Sequence, residues 1–303
     1  MKKQLPSPQE LASLPATKAK KILLKNFRWL LKKENKKILE DALQLENTFT
    51  PPCNFTFRWH LPRFIATIRL LNRLFADKKT NGLLEVLDVS PYPPFALLIK
   101  TKSAIKNAAF EYTSLCGGPV CLESALGALD VKTFQTDLNR DVSLPKERFD
   151  CVLLTEVIEH INRHPELVIR DIAACLKFGG YMVLSTPNAA SWKKIYNLSK
   201  GDFEFDAPTF GPEMAHRHEY TYYQISQILL NSGFKIDFSE TRDIYLDDKK
   251  TLASKIQFAA LIASKIATGQ LRQAARLILR GGSALFFIAR KEGPPKNTSL
   301  IRI

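Results

Sequence analysis

Residues 149–155 read Phe-Asp-Cys-Val-Leu-Leu-Thr, and the stretch from Cys151 to Leu154 is wholly apolar. A strand with one wet face alternates apolar and polar residues, whereas an unbroken apolar run belongs to a strand covered on both faces. Such strands lie in parallel sheets, whose crossover helices pack on both sides. The centre of the chain repeats this signal. Strands are expected at Leu83–Val89, Ala108–Ser114, Val131–Phe134, Phe149–Leu154, Tyr181–Ser185, Phe234–Phe238 and Ala284–Ala289. Helical patterns separate several of them, at Pro93–Lys100, Pro165–Leu176 and Thr221–Ser232. Thr221 followed by Gln224 is a capping box, with Gly233 just past the helix end. Gly179-Gly180 is expected to close the helix over 165–176. The alternation predicts an α/β fold built on a doubly wound, mostly parallel sheet.

The flanks differ. Leu23, Leu24, Phe27, Leu30 and Leu31 recur at helical spacing and predict a helix over 16–46, ended by Pro51-Pro52. Ile65, Ile68, Leu71 and Phe75 predict a second over 61–76, before the Asn81-Gly82 turn. Ile256, Ala259, Ala260, Ala263, Ile266 and Ala267 keep the same period, and Leu271–Arg280 is amphipathic and basic. The expected organisation is a helical extension over 1–82, an α/β domain over 83–292 with a helical insertion at 251–280, and a tail at 293–303.

Charge follows these boundaries. The 303 residues carry a net +14, and 19 Phe, 8 Tyr and 3 Trp need burial, which excludes a disordered chain. Residues 1–82 hold 17 Lys and Arg against 6 Asp and Glu; residues 83–248 hold 16 against 23; residues 249–303 hold 11 against 1. An acidic centre lies between two basic arms, a poor design for cradling a polyanion along one face. Three roles for the arms stand side by side: a lid with solvated lysines, peripheral attachment to an anionic membrane, and nucleic-acid binding through Phe27, Arg28, Trp29 and Phe57, Arg58, Trp59. The acidic centre disfavours the last.

Five cysteines, at 53, 116, 121, 151 and 175, form no CxxC pair, and no Cys/His cluster has zinc spacing, so no metal is expected. A reducing, cytoplasmic setting is the simplest reading, with membrane contact at most peripheral. Met-Lys-Lys is not followed by an apolar core of a secretory signal, and no apolar run is long enough to span a bilayer.

The chemistry concentrates after the fourth strand, where Thr155 is followed by Glu156, Glu159 and His160. In open α/β sheets the carboxyl ends of strands face the ligand crevice. The plainer alternative is acid placed at a helix N-terminus to suit its dipole. Three segments, FDCVLLTEVIEHI, LKFGGYMVLSTPN and HRHEYTYYQISQILLNSGF, taken together and in this order, resemble the class I S-adenosylmethionine-dependent methyltransferases, in particular the branch acting on small molecules, sugars and lipid-linked substrates. With the first strand they span about half the chain.

The resemblance implies a Rossmann-like sheet of seven strands and S-adenosylmethionine as cofactor. It places Asp88, in Val86-Leu87-Asp88-Val89, near the cofactor's methionyl end. Asp137 would meet the adenine amino group, Leu138 would pack on the ring, and Thr155-Glu156-Val157 would line the cleft. For Asp137 the plainer role is capping its own turn. The family's first loop is rich in glycine; here Val89-Ser90-Pro91-Tyr92-Pro93-Pro94-Phe95 has none, and three prolines remove three N–H donors. Ser90 and Tyr92 are the cofactor-facing candidates of that loop. The family's ribose-binding acid has no counterpart, since Glu111 comes too early in the second strand. A methyltransferase fold serving as a scaffold or partner subunit is therefore the alternative.

No Asn/Asp-Pro-Pro-Tyr follows the fourth strand, which argues against nucleobase amines as acceptors and favours a hydroxyl on a sugar, lipid-linked or other small molecule. Methylating a hydroxyl needs in-line geometry and a proton acceptor. Glu156, His160, His216 and His218 are the candidate bases. Capping and packing of the 216–220 loop is the competing role for its histidines.

Overall fold

A computed structural model describes residues 8–45, 57–75, 83–89, 92–105, 107–114, 132–140, 144–202, 216–245 and 252–295. Four helices come first: α1 (Pro8–Ser13), α2 (Ala16–Asn26), α3 (Lys33–Leu45) and α4 (Phe57–Phe75). The single helix expected over 16–46 is thus two. It breaks at Phe27, with φ −116° and ψ 84°, and a 3₁₀ turn at Arg28–Leu31 joins the pieces. The cause is tertiary. Phe27 and Leu30 are buried, and Trp29 between them packs on the same core. Three such close neighbours do not share one face of a regular helix. The Trp29 indole N–H donates to the Asp243 carbonyl at 3.1 Å, and Asn35 Nδ2 donates to the Trp29 carbonyl at 2.8 Å.

The α/β part runs β1 (Glu85–Val89), α5 (Pro93–Lys102), β2 (Ala109–Ser114), β3 (Lys132–Gln135), β4 (Phe149–Thr155), α6 (Pro165–Cys175), β5 (Leu176–Pro187), α7 (Trp192–Leu198), α8 (Tyr222–Asn231), β6 (Phe234–Arg242), α9 (Leu252–Ala267), α10 (Leu271–Arg280) and β7 (Ala284–Lys291). The strands form one mixed sheet in the order β3-β2-β1-β4-β5-β7-β6. β1 to β5 pair in parallel, while β7 is antiparallel to both β5 and β6. Both faces are covered. Val86, Cys151, Leu153, Val183 and Phe286 share one core with Leu23, Phe64, Ile68 and Phe95. Leu87, Val152, Leu154 and Phe287 pack on the other side with Ile172 and Ile225. The first four helices therefore close one face of the sheet, sharing its core.

Gly179-Gly180 does not cap a helix. α6 ends at Cys175, the chain enters β5 directly, and the glycines lie inside that strand. There the pairing with β4 jumps from Phe149↔Leu176 to Cys151↔Tyr181, leaving 177–180 as an outward bulge. Gly179 sits at φ +77°, and a Cβ on Gly180 would lie 2.9 Å from the Lys177 carbonyl oxygen. The glycines serve a strand irregularity, not a helix end.

Several residues weighed for nucleic acid are used internally. Phe27 and Phe57 are buried, and buried Arg58 donates to the Leu11 carbonyl at 3.0 Å and to that of Leu14, tying α1 to α4. Arg69 pairs with Glu240, and Arg73 lies over the Phe238 ring at 4.1 Å. No helix among the described residues is long and apolar enough to cross a membrane.

Candidate functional site

The sheet positions the site through its order. From β1 the chain winds outward to β2 and β3; from β4 it winds the other way to β5. β1 and β4 are adjacent, and a crevice opens beyond the carboxyl ends of two such strands. Asp88 pairs with Leu153, and Thr155 with Ser185, so the ends of β1, β4 and β5 stand side by side.

Glu156, the residue after β4, adopts φ +56°, an uncommon conformation for a residue with a side chain. Its backbone N–H donates to the Ser185 carbonyl at 2.8 Å. Its carboxylate is held from three sides. Ser185 Oγ donates to Oε1 at 2.9 Å, the Tyr245 hydroxyl donates to Oε2 at 2.6 Å, and Arg63 Nη1 lies 3.9 Å from Oε2. Burial, followed by the adjoining Glu156 charge, pushes the Tyr245 hydroxyl well above the usual tyrosine range.

Glu159 is fully buried in the 3₁₀ turn Ile158–His160. This turn is only three residues long and the next α-helix begins at Pro165, so a helix dipole is a weak explanation for these acids. Thr186 Oγ1 donates to Glu159 Oε2 at 3.0 Å. Oε1 has no hydrogen-bond partner among the described residues. Burial, then the neighbouring Glu156 charge, raises this carboxyl well above the usual range. The Glu159 carbonyl accepts backbone N–H bonds from Arg217 at 2.6 Å and His218 at 3.2 Å, which dock the 216–220 loop on the turn.

That docking brings His160 and His216 together edge to face, with ring centroids 5.0 Å apart. His216 Nδ1 lies 3.3 Å from Glu219 Oε1, and Lys194 pairs with the other Glu219 oxygen. His218 instead is exposed and lies against Tyr220, centroids 4.5 Å apart. So His160 and His216 stand together beside Glu159, and the His218 ring lies against Tyr220 instead.

The cofactor-side candidates separate likewise. Asp88 is 1% exposed, and its Oδ2 has no hydrogen-bond partner among the described residues. Burial pushes its carboxyl up to about 8 against the pull of Arg63. Tyr92 belongs to an aromatic cluster, stacked on Phe64 at 5.6 Å. Asp137 Oδ1 accepts the Asn139 N–H at 3.0 Å and Oδ2 lies 3.3 Å from Arg140 Nε, so it caps its own turn; Leu138 is buried in the core. Thr155 is partly exposed at the end of β4. Ser90 lies outside the described residues. Sequence reasoning passed over Arg63 and Tyr245. Neither lies in the three segments that carry the family resemblance, and each reaches the site from a part of the chain distant from β4.

The sequence model of a family described as a methyltransferase domain matches residues 57–237, more than half the chain. The chain belongs to the class I S-adenosylmethionine-dependent methyltransferases. It is an enzyme of methyl transfer, and S-adenosylmethionine is its cofactor. No curated protein matches the sequence. Similar solved structures include a putative methyltransferase in complex with the Haloferax volcanii Trm112 activator (12% identity, 84% of this chain and 95% of that one, TM-score 0.49). Another is an S-adenosylmethionine-dependent methyltransferase from Archaeoglobus fulgidus (17%, 75% and 94%, 0.47). A third is the Burkholderia thailandensis 1,6-didemethyltoxoflavin-N1-methyltransferase, solved with S-adenosylhomocysteine (15%, 84% and 90%, 0.45). Likeness at this level says nothing about the acceptor.

At the carboxyl end of β1, Asp88 is the group that would hold the cofactor, since its buried Oδ2 has no hydrogen-bond partner among the described residues. An unpartnered buried carboxylate oxygen at the end of β1 needs a donor, and S-adenosylmethionine carries several on its amino-acid and ribose parts. Bound there, the cofactor supplies an electrophilic methyl group on a sulfonium. The chain's own residues there are Glu156, held by Ser185, Tyr245 and Arg63, and two partly exposed imidazoles, His160 and His216.

Proposed function

We propose that this methyltransferase acts on a hydroxyl of a sugar, lipid-linked or other small molecule. The observation that carries the reading is the pairing of His160 and His216 next to the end of β4, with side chains 26% and 21% exposed. An imidazole that is anchored yet reachable suits removal of a hydroxyl proton near neutral pH. Amine acceptors do not need a base of this kind once neutral.

The character of a groove on the β6–β7 side of the sheet supports the acceptor class. A groove of about 670 Å³ lies beyond the ends of β6 and β7, lined by Trp29, Trp192, Phe258, Arg242 and Leu279 among others. Aromatic faces beside polar groups suit a sugar ring or an apolar chain bearing a polar head. On its rim α10 exposes Leu271, Ile278 and Leu279 beside Arg272 and Arg280, which favours an acceptor met at an anionic membrane surface.

Methyl-labelled S-adenosylmethionine offered with sugar, polyprenyl-linked and phenolic acceptors tests the proposal. The expected product carries label in an alkali-stable ether, and His160→Ala lowers its formation at least tenfold. Label found only on nitrogen, or undiminished transfer by His160→Ala, refutes it. Calorimetry with S-adenosylhomocysteine, run in parallel, reports cofactor binding without regard to the acceptor.

A further inference from the structure

Glu159, His160 and His216 place a carboxylate oxygen and two imidazole nitrogens within 4.8 Å of one another. The grouping is built by the backbone. Two of the residues are consecutive in one 3₁₀ turn, and the third is brought in by the Arg217 and His218 N–H bonds to the Glu159 carbonyl. Inside the cluster, Glu159 Oε1 is fully buried, lacks a hydrogen-bond partner among the described residues, and lies 3.9 Å from His160 Nε2. A buried carboxylate oxygen left unpaired is costly, and a cation is the partner that removes the cost. Glu219 engages His216 Nδ1 at 3.3 Å, the outer carboxylate contact that orients a histidine so that its other nitrogen ligates.

We propose that Glu159, His160 and His216 bind a divalent transition cation of the zinc, cobalt or manganese class. Two nitrogens and one oxygen are the three-ligand set of sites that keep a position open. Both histidines are partly exposed, so the open position faces the solvent side, whereas Glu159 and Thr186 close the back. Tetrahedral ligands on one cation stand about 3.4 Å apart at a bond of roughly 2.1 Å, so loading draws the three together by at most about 1.4 Å.

The use of the cation rests on the hydroxyl-acceptor reading. The acceptor oxygen takes the open position and its O–H proton passes to solvent. The oxygen lone pair then forms the new C–O bond while the S–CH₃ bond breaks, its electron pair staying on sulfur as S-adenosylhomocysteine. The same anchored, reachable histidine pair then serves the hydroxyl through the cation, with solvent taking the proton that an unloaded imidazole would otherwise accept.

Cobalt(II) tests the site without the acceptor. The full chain, stripped with chelator, is titrated with Co²⁺ and read by its visible d–d absorption, with thermal unfolding alongside. Expected are one cobalt per chain with a low-coordinate spectrum, displaced by Zn²⁺, and a rise in Tm. His216→Ala and His160→Ala should each weaken cobalt binding at least tenfold while S-adenosylhomocysteine still binds, which shows the variants folded. Glu159→Gln should do the same. A featureless titration of the parent chain, or an unchanged spectrum in both histidine variants, overturns the site. Cobalt binding without methylation of any hydroxyl leaves the site standing and refutes the acceptor reading. Full transfer by the stripped enzyme overturns the cation's role in the reaction.

Discussion

Replacing Asp88 by Asn should make the cofactor-free protein more stable and a worse binder of S-adenosylmethionine. Asp88 is 1% exposed at the end of β1, and burial lifts its carboxyl from 3.8 to about 8. The folded state keeps this proton to higher pH than the unfolded chain does. Stability is therefore intact below the unfolded value and declines as pH rises toward the folded one. Each unit between them costs about 1.36 kcal/mol, which puts the loss at about 4 kcal/mol at neutral pH and at most about 6 kcal/mol above pH ~8. Local relaxation and water entry reduce this, so a gain of about 2–4 kcal/mol at pH ~8 is expected for Asp88→Asn. Asn matches the neutral acid in shape and does not titrate. Urea unfolding of both proteins across pH measures the gap, which should shrink toward zero near pH ~4. Cofactor affinity, followed by calorimetry at pH ~9 where the parent carboxyl is ionised, should fall about tenfold or more as the charged acceptor is lost. A variant that is less stable at pH ~8, or a gap that does not change with pH, would refute the reasoning.

Other substitutions probe the frame and the site. Tyr245→Phe removes the 2.6 Å bond to Glu156; we expect a stability loss of about 1 kcal/mol and a drop in kcat with little change in cofactor affinity, checked by steady-state kinetics. Thr221→Ala removes the capping box of α8 and should cost about 1 kcal/mol in denaturant unfolding. Gly233→Ala meets the Gly293 carbonyl oxygen with a Cβ at 2.4 Å, at φ +87°; a Tm lowered by several degrees, or failure to accumulate folded protein, is expected.

Much of the frame is legible from local pattern. The buried run Cys151–Leu154, the parallel alternation and the Thr221–Gln224 box each depend on neighbours in sequence, where periodicity and capping operate. Local pattern misleads where a residue type has two uses. Gly179-Gly180 suits a helix end or a strand bulge equally, and only the pairing of β4 with β5 selects the bulge. The leucine-rich stretch at 16–46 reads as one helix because helical spacing ignores the pocket that turns Phe27, Trp29 and Leu30 inward together.

The site divides along the same line. Its acids and histidines were named by their place after a buried strand and by resemblance, yet their roles were not ordered. Glu156 emerges as a residue held by Ser185, Tyr245 and Arg63, from three elements far apart in the chain. Glu159, whose position in sequence suits helix-end charge, is the most buried acid of the cluster, and the His218 ring lies against Tyr220.

The sequence by itself determined that this chain folds around a doubly wound sheet, and the order of three segments carried its resemblance to the methyltransferases. Hydrophobic period and motif order are properties of neighbouring residues, so one chain suffices to show them. Only the tertiary structure decided which polar groups share a boundary and which oxygen lacks a partner. Burial, and with it the cost of an unpaired charge, depends on every element packed around a residue and not on the residue's own neighbours in sequence.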